Sequence, residues 1–117
     1  PLFDGKSLDG WVLVGKKGNG YVVEEGAIVC TLGGGGNLLT EREFEDFVLR
    51  LDFKLKSGSN NGIGVRAPLT AESIAYRGME FQVIDNTAEK YANLKPWQYH
   101  GSLYGIVPAA RGFLNPS

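Results

Sequence analysis

Glu80 and Gln82 stand two positions apart in the run GMEFQVIDN, residues 78–86, and on a strand that spacing puts both side chains on one face. An ionised carboxylate only accepts hydrogen bonds, whereas a carboxamide both donates and accepts, so the pair suits a hydroxyl-rich ligand. Met79, Phe81 and Val83 alternate with them and are expected to face a core. The same run also reads as an ordinary strand with its outer face in water. If IGVRA (63–67) is the neighbouring strand, Arg66 falls beside Glu80 and Gln82. A guanidinium there would hold the carboxylate ionised, which favours a base or a binding group; a surface ion pair of little consequence is the alternative.

Other groups able to do chemistry are few. His100 is the single histidine, the side chain whose ordinary pKa lies nearest neutrality. Asp85 and Asn86 close the same run, and Asn60 and Asn61 lie in SGSNNG (57–62), positions that serve turns as readily as sites. Trp97 and Tyr99 can stack on the apolar face of a sugar ring or anchor their loop to the core. No Ser-His-Asp order, CxxC, HExxH or EF-hand pattern is present. A second carboxylate at position 82 would suggest an ordinary retaining glycosidase; with Gln82 there, direct displacement at an unactivated glycoside is not expected.

These groups need strands to position them, and the chain is rich in strand signals. WVLV (11–14), YVVE (21–24) and AIVCTL (27–32), separated by Asn19-Gly20 and Glu25-Gly26, are expected to form a three-stranded meander. The four glycines at 33–36 read as a flexible loop, since no Gly-Lys-Ser/Thr follows to make a phosphate cradle. FVLRLDFKLK (47–56) alternates strictly, with Phe47, Leu49, Leu51, Phe53 and Leu55 on one side, and reads as the clearest strand. SGSNNG is expected to turn into IGVRA, whose glycine interruption at Gly64 hints at close approach by a backbone or a ligand. Residues 68–77 form a connection with a helical turn, 87–99 a second excursion, and HGSLYGIVP (100–108) returns to strand character.

At 117 residues the chain holds one domain, expected to be an all-β antiparallel sandwich or jelly roll. The 12 basic and 13 acidic residues are interspersed and give a net charge of −1, with no basic surplus for nucleic acid or an anionic membrane. No apolar run approaches a membrane span. Cys30 is alone, so it forms no intrachain disulfide and is expected to be a small buried hydrophobe. Pro1 is not a translational start, so processing or trimming is expected, and so is a domain that continues beyond LNPS.

Four motifs together, LFDGKSLDGW (2–11), SNNGIGVR (59–66), GMEFQVID (78–85) and HGSLYGIVP (100–108), resemble the 3-keto-disaccharide hydrolase domain family over essentially the whole chain. The resemblance implies a concanavalin A-like jelly roll with a carbohydrate groove on its concave sheet. It implies an exported bacterial protein, periplasmic or lipid-anchored, acting on glycosides already oxidised at C3. A C3 ketone acidifies the C2 proton, so a base can remove it, the C1 aglycone leaves, and water adds to the unsaturated sugar. On matching positions, Glu80 is the base or acid. Arg66 orients it or stabilises the enolate, and Gln82 binds hydroxyls. His100 is a secondary acid/base, with Asn61, Asp85, Trp97 and Tyr104 in the groove. No organic cofactor is implied; a divalent metal stays open, because Glu80, Asp85 and His100 are able to approach one another. The resemblance leaves the oligomeric state unspecified. A non-catalytic carbohydrate-binding module on the same fold is the alternative, and a purely structural domain a third.

Overall fold

The computed structural model describes residues 1–115. Its regular structure is dominated by six strands, β1 (Trp11–Lys17), β2 (Tyr21–Glu24), β3 (Ala27–Cys30), β4 (Gly35–Thr40), β5 (Asn60–Val65) and β6 (Met79–Ile84). One short helix, α1 (Ile74–Arg77), and two 3-10 turns, Glu89–Tyr91 and Pro96–Gln98, complete it. All pairings are antiparallel, as expected for an all-β chain. Packing divides the chain into two compact units, residues 1–49 with 69–73 and residues 50–68 with 74 onward.

In the first unit β2 and β3 form a hairpin whose two-residue turn, Glu25 and Gly26, has φ of 48° and 77°. Positive φ at both central residues is the type I′ geometry that matches the twist of the flanking strands. The expected meander does not form. β1 pairs with β4, Trp11 opposite Thr40, so the hairpin is an insertion between two strands that find each other across it. Asn19-Gly20 therefore links unpaired neighbours, and Gly35 and Gly36 belong to β4 rather than to a loop. The Asp4-Gly5 corner is architecture: Asp4 Oδ1 accepts the N–H groups of Lys6 and Ser7 at 2.7 and 3.0 Å, and Trp11 Nε1 donates to the Leu2 carbonyl at 3.0 Å. Asn37 ties β4 to the connection, its Nδ2 donating to the carbonyls of Thr70 and Glu72 at 2.7 and 2.8 Å. Cys30 is exposed, not buried, because it ends β3 at the hairpin's open side.

The second unit is built on β5 and β6, which pair as expected, from Asn60 opposite Ile84 to Val65 opposite Met79. β5 starts earlier than the turn signals suggest, so Asn60 and Asn61 are strand residues. β6 is satisfied on its other edge too. The segment 101–104 folds back along it, with Gln82 N–H donating to Ser102 O at 2.9 Å, Gly101 N–H to Gln82 O and Tyr104 N–H to Glu80 O, both at 2.8 Å. These contacts replace the strand expected over 100–108, which forms only isolated bridges at Leu103. Flanked on both sides, β6 carries the core: Val83 and Ile84 are buried, as are Gln82 and Ser102. The most regular alternation in the sequence, 47–56, is not a strand among the described residues. Alternation prepares two unlike faces, but a strand also needs a partner strand lying about 4.7–4.9 Å away to bond with, and no described segment forms a ladder with 47–56.

Candidate functional site

The β5–β6 ladder fixes the position of Glu80. Its cross-strand partner is Gly64, and Gly62 lies opposite Gln82. Side chains directly opposite each other ordinarily share the space above the pair. Here the space over Gly64 is taken by Ile74 of α1, which a Cβ at Gly64 would meet. The Glu80 side chain instead runs diagonally onto Gly62, where the nearest atoms to an added Cβ are its own Oε1, Cγ and Cδ. At Gly64, where the sequence hinted at a close approach, the neighbour is the Ile74 side chain; at Gly62 it is the Glu80 side chain.

Glu80 is half-buried, and that burial pushes its carboxyl above the ordinary glutamate value; a hydrogen bond from the Ala75 N–H opposes the rise. The shift is opposite in sign to the one a neighbouring guanidinium would give, and neither cause is Arg66. Arg66 follows the last residue of β5, with its backbone in the left-handed region at φ 52° and its side chain exposed. Non-glycine residues adopt that conformation uncommonly, and it interrupts the strand geometry on which the expected Arg66–Glu80 adjacency relied.

Along β6 the expected division into an apolar core face and an open polar face does not hold. Gln82 is only 4% exposed, while Phe81 is 44% exposed. The returning segment 101–104 explains the burial of Gln82, since it closes on the strand at that residue. The amide oxygen, Oε1, has no hydrogen-bond partner among the described residues. A buried acceptor left unmatched costs about 1–3 kcal/mol and is uncommon in native folds.

At the end of β6 the polar side chains hold loops. Asp85 Oδ2 accepts the Gly58 N–H at 2.8 Å, and its Oδ1 accepts both the N–H and the hydroxyl of Thr87. These bonds, led by Gly58, hold its carboxyl below the usual aspartate value. Asn86 Oδ1 accepts the His100 N–H at 2.9 Å, and His100 Nδ1 accepts the Ile84 N–H at 3.4 Å. An imidazole accepting at Nδ1 carries its proton on Nε2 when neutral, and burial lowers the His100 pKa, which favours that neutral form. The ring stacks on Phe53, centroids 5.0 Å apart and tilted by 42°. With Asn86, Thr87, Arg111 and Phe113 it lines a cavity of about 230 Å³ that Glu80 does not reach.

Of the aromatic candidates, Trp97 is 43% exposed and Tyr104 is partly buried, its hydroxyl accepting from Gln98 Nε2 at 3.2 Å. Tyr99 lies under the guanidinium of Arg111, 3.6 Å from ring centroid to Cζ. Asn61 Oδ1 turns back onto the Gly62 N–H at 2.8 Å. Glu80, Gln82 and the Tyr104 backbone therefore share one place on β6, while His100 and Asn86 share another. Among the described residues no three His, Cys, Asp or Glu side chains gather into a metal-holding group, and Glu80, Asp85 and His100 do not form one. No described helix is long and apolar enough to cross a membrane. The sequence reading missed Gly62, Ala75 and Arg111; Gly62 falls in the expected turn SGSNNG, two positions before the Gly64 whose place in IGVRA hinted at a close approach.

The family described as the 3-keto-alpha-glucoside-1,2-lyase-like domain matches residues 1–116. A protein of Bacteroides thetaiotaomicron named 3-keto-disaccharide hydrolase is 29% identical over 130 aligned positions, covering 92% of this chain and 45% of that protein. The chain spans about half the length of the curated relative it matches.

Proposed function

From the premise that the chain belongs to the 3-keto-alpha-glucoside-1,2-lyase-like domain family, we propose that it acts on 3-keto-glycosides through Glu80 as the base. The family description names a 1,2-lyase and the relative's name a hydrolase. One sequence of steps contains both. The Glu80 carboxylate takes the C2 proton, and the C–H electron pair passes into the C2–C3 enolate. The enolate then forms the C1–C2 double bond as the C1–O bond breaks and the aglycone leaves with a proton. Water added across the double bond completes a net hydrolysis.

The observation that carries this reading is the setting of Glu80. A half-buried carboxyl with a raised proton affinity is a stronger base than a solvated one, and a base works best with a pKa near the working pH. Gln82 lies beneath the returning segment 101–104, with its Oε1 out of reach of solvent, so the expected contact of this amide with substrate hydroxyls is not part of the proposal. Arg66, on the loop leaving β5, is the candidate cation for the developing enolate oxygen. Asn61, Asp85, Trp97 and Tyr104 are proposed around the sugar and His100 as a second proton carrier. Action outside the cytoplasm is part of the proposal.

The test compares the full chain with its Glu80→Gln variant on an oxidised disaccharide and its unoxidised counterpart in deuterated water. Deuterium should enter C2 of the product, only the 3-keto substrate should be cleaved, and the variant should lose about 10²–10⁴-fold in kcat. If Glu80→Gln weakens binding while turnover persists, Glu80 is not the base and the site serves recognition.

A further inference from the structure

We propose that Gly62 is a positioning residue, and that the hollow left by its missing side chain is the seat of the Glu80 carboxyl group. The inference rests on Glu80 being the base, but its geometry stands independently. Ile74 fills the space over Gly64, the direct partner of Glu80, so the side chain has only the diagonal route across the ladder. That route ends on Gly62, where a Cβ would meet Glu80 Oε1 and lie 2.5 Å from both Cγ and Cδ. The nearby Ala75 N–H of α1 favours the ionised form of the same carboxyl. The seat therefore has its floor at β5.

The glycine is there for space and not for torsion. Its φ lies outside the left-handed region, so an alanine is acceptable to the backbone. The three atoms nearest an added Cβ all belong to one flexible side chain, none to the backbone. An alanine at 62 should thus displace the carboxyl selectively while β5 and β6 stay paired. A displacement on the order of 1 Å in a reacting group costs about 10²-fold in rate.

The experiment uses the full chain with Gly62→Ala, Glu80→Ala, Glu80→Gln and the double variant Gly62→Ala/Glu80→Ala. Three quantities are measured: the unfolding midpoint, the titration of the Glu80 side-chain carbon by NMR, and kcat and KM on a 3-keto-disaccharide. In Gly62→Ala the carboxyl should titrate nearer the ordinary glutamate value as it gains water, and kcat should fall about 10²-fold with KM little changed. Any instability caused by Gly62→Ala should vanish in the Glu80→Ala background, where nothing obstructs the new methyl group. A wild-type Glu80 titration in folded Gly62→Ala, or equal destabilisation with and without the Glu80 side chain, overturns the proposal. Activity retained by Glu80→Gln overturns the catalytic reading instead, and leaves the stability cycle to judge the seat.

Discussion

Ser102→Ala should cost far more than the loss of one oxygen atom suggests. Ser102 is fully buried, its Oγ donating to the Pro96 carbonyl at 3.2 Å and accepting the Ala109 N–H at 3.0 Å. One hydroxyl thus ties together the two ends of the segment that returns along β6. Alanine removes the partner of a carbonyl and of an amide, each worth about 0.5–1.5 kcal/mol where water reaches the group and about 1–3 kcal/mol where it does not. Allowing for partial relaxation, the expected loss is about 2–4 kcal/mol, a large share of a typical 5–15 kcal/mol of stability. With a urea m value of about 2 kcal/mol/M, the midpoint should fall by roughly 1–2 M at unchanged slope. Hydrogen exchange at the Ala109 amide should accelerate in parallel. A loss below about 0.5 kcal/mol, or a protected Ala109 amide, would refute the claim that this hydroxyl closes the segment.

Two further outcomes follow from the same physics. Burial depresses the His100 pKa, so the folded state holds fewer protons there than the unfolded chain. The associated stability should be fully present above the ordinary histidine value and lost as pH falls through the depressed one; urea midpoints from pH 8 to 5 should decline less steeply in His100→Gln. Gly26→Ala meets no atom within 4 Å but must adopt φ +77°, so it should destabilise the chain by about 1–2 kcal/mol through torsion alone, measured by urea unfolding.

The pairing of β5 with β6 was legible because both runs are short, β-rich and bounded by turn residues, and the family was legible in four motifs. What sequence could not give was which of the other candidate strands pair with which. The segment 47–56 has the cleanest period-2 pattern and no ladder among the described residues, while β4, opening on two glycines, has weak propensity and yet pairs with β1 from Trp11–Thr40 to Lys17–Gly35, with one irregularity between Val14 and Lys17. The faces of β6 failed for the same reason. Alternation correctly put Gln82 and Phe81 on opposite sides, but the burial of Gln82 depends on a segment twenty residues downstream. Glu80 was found by residue type, whereas its route onto Gly62 depends on Ile74, which no local pattern reveals.

The nesting of one hairpin inside the β1–β4 pair gives the first unit a built-in order of assembly. Tyr21 to Cys30 can close over a two-residue turn, on the microsecond scale of isolated hairpins. Trp11 and Thr40, 29 positions apart (40 minus 11), face a far longer entropic search if the intervening chain is free. Once the hairpin has zipped, Tyr21 and Cys30 stand side by side, which takes about ten residues out of the loop still to be closed. A kinetic signature follows: substitutions in the Glu25-Gly26 turn should slow folding, while those at the Trp11–Thr40 end should chiefly hasten unfolding.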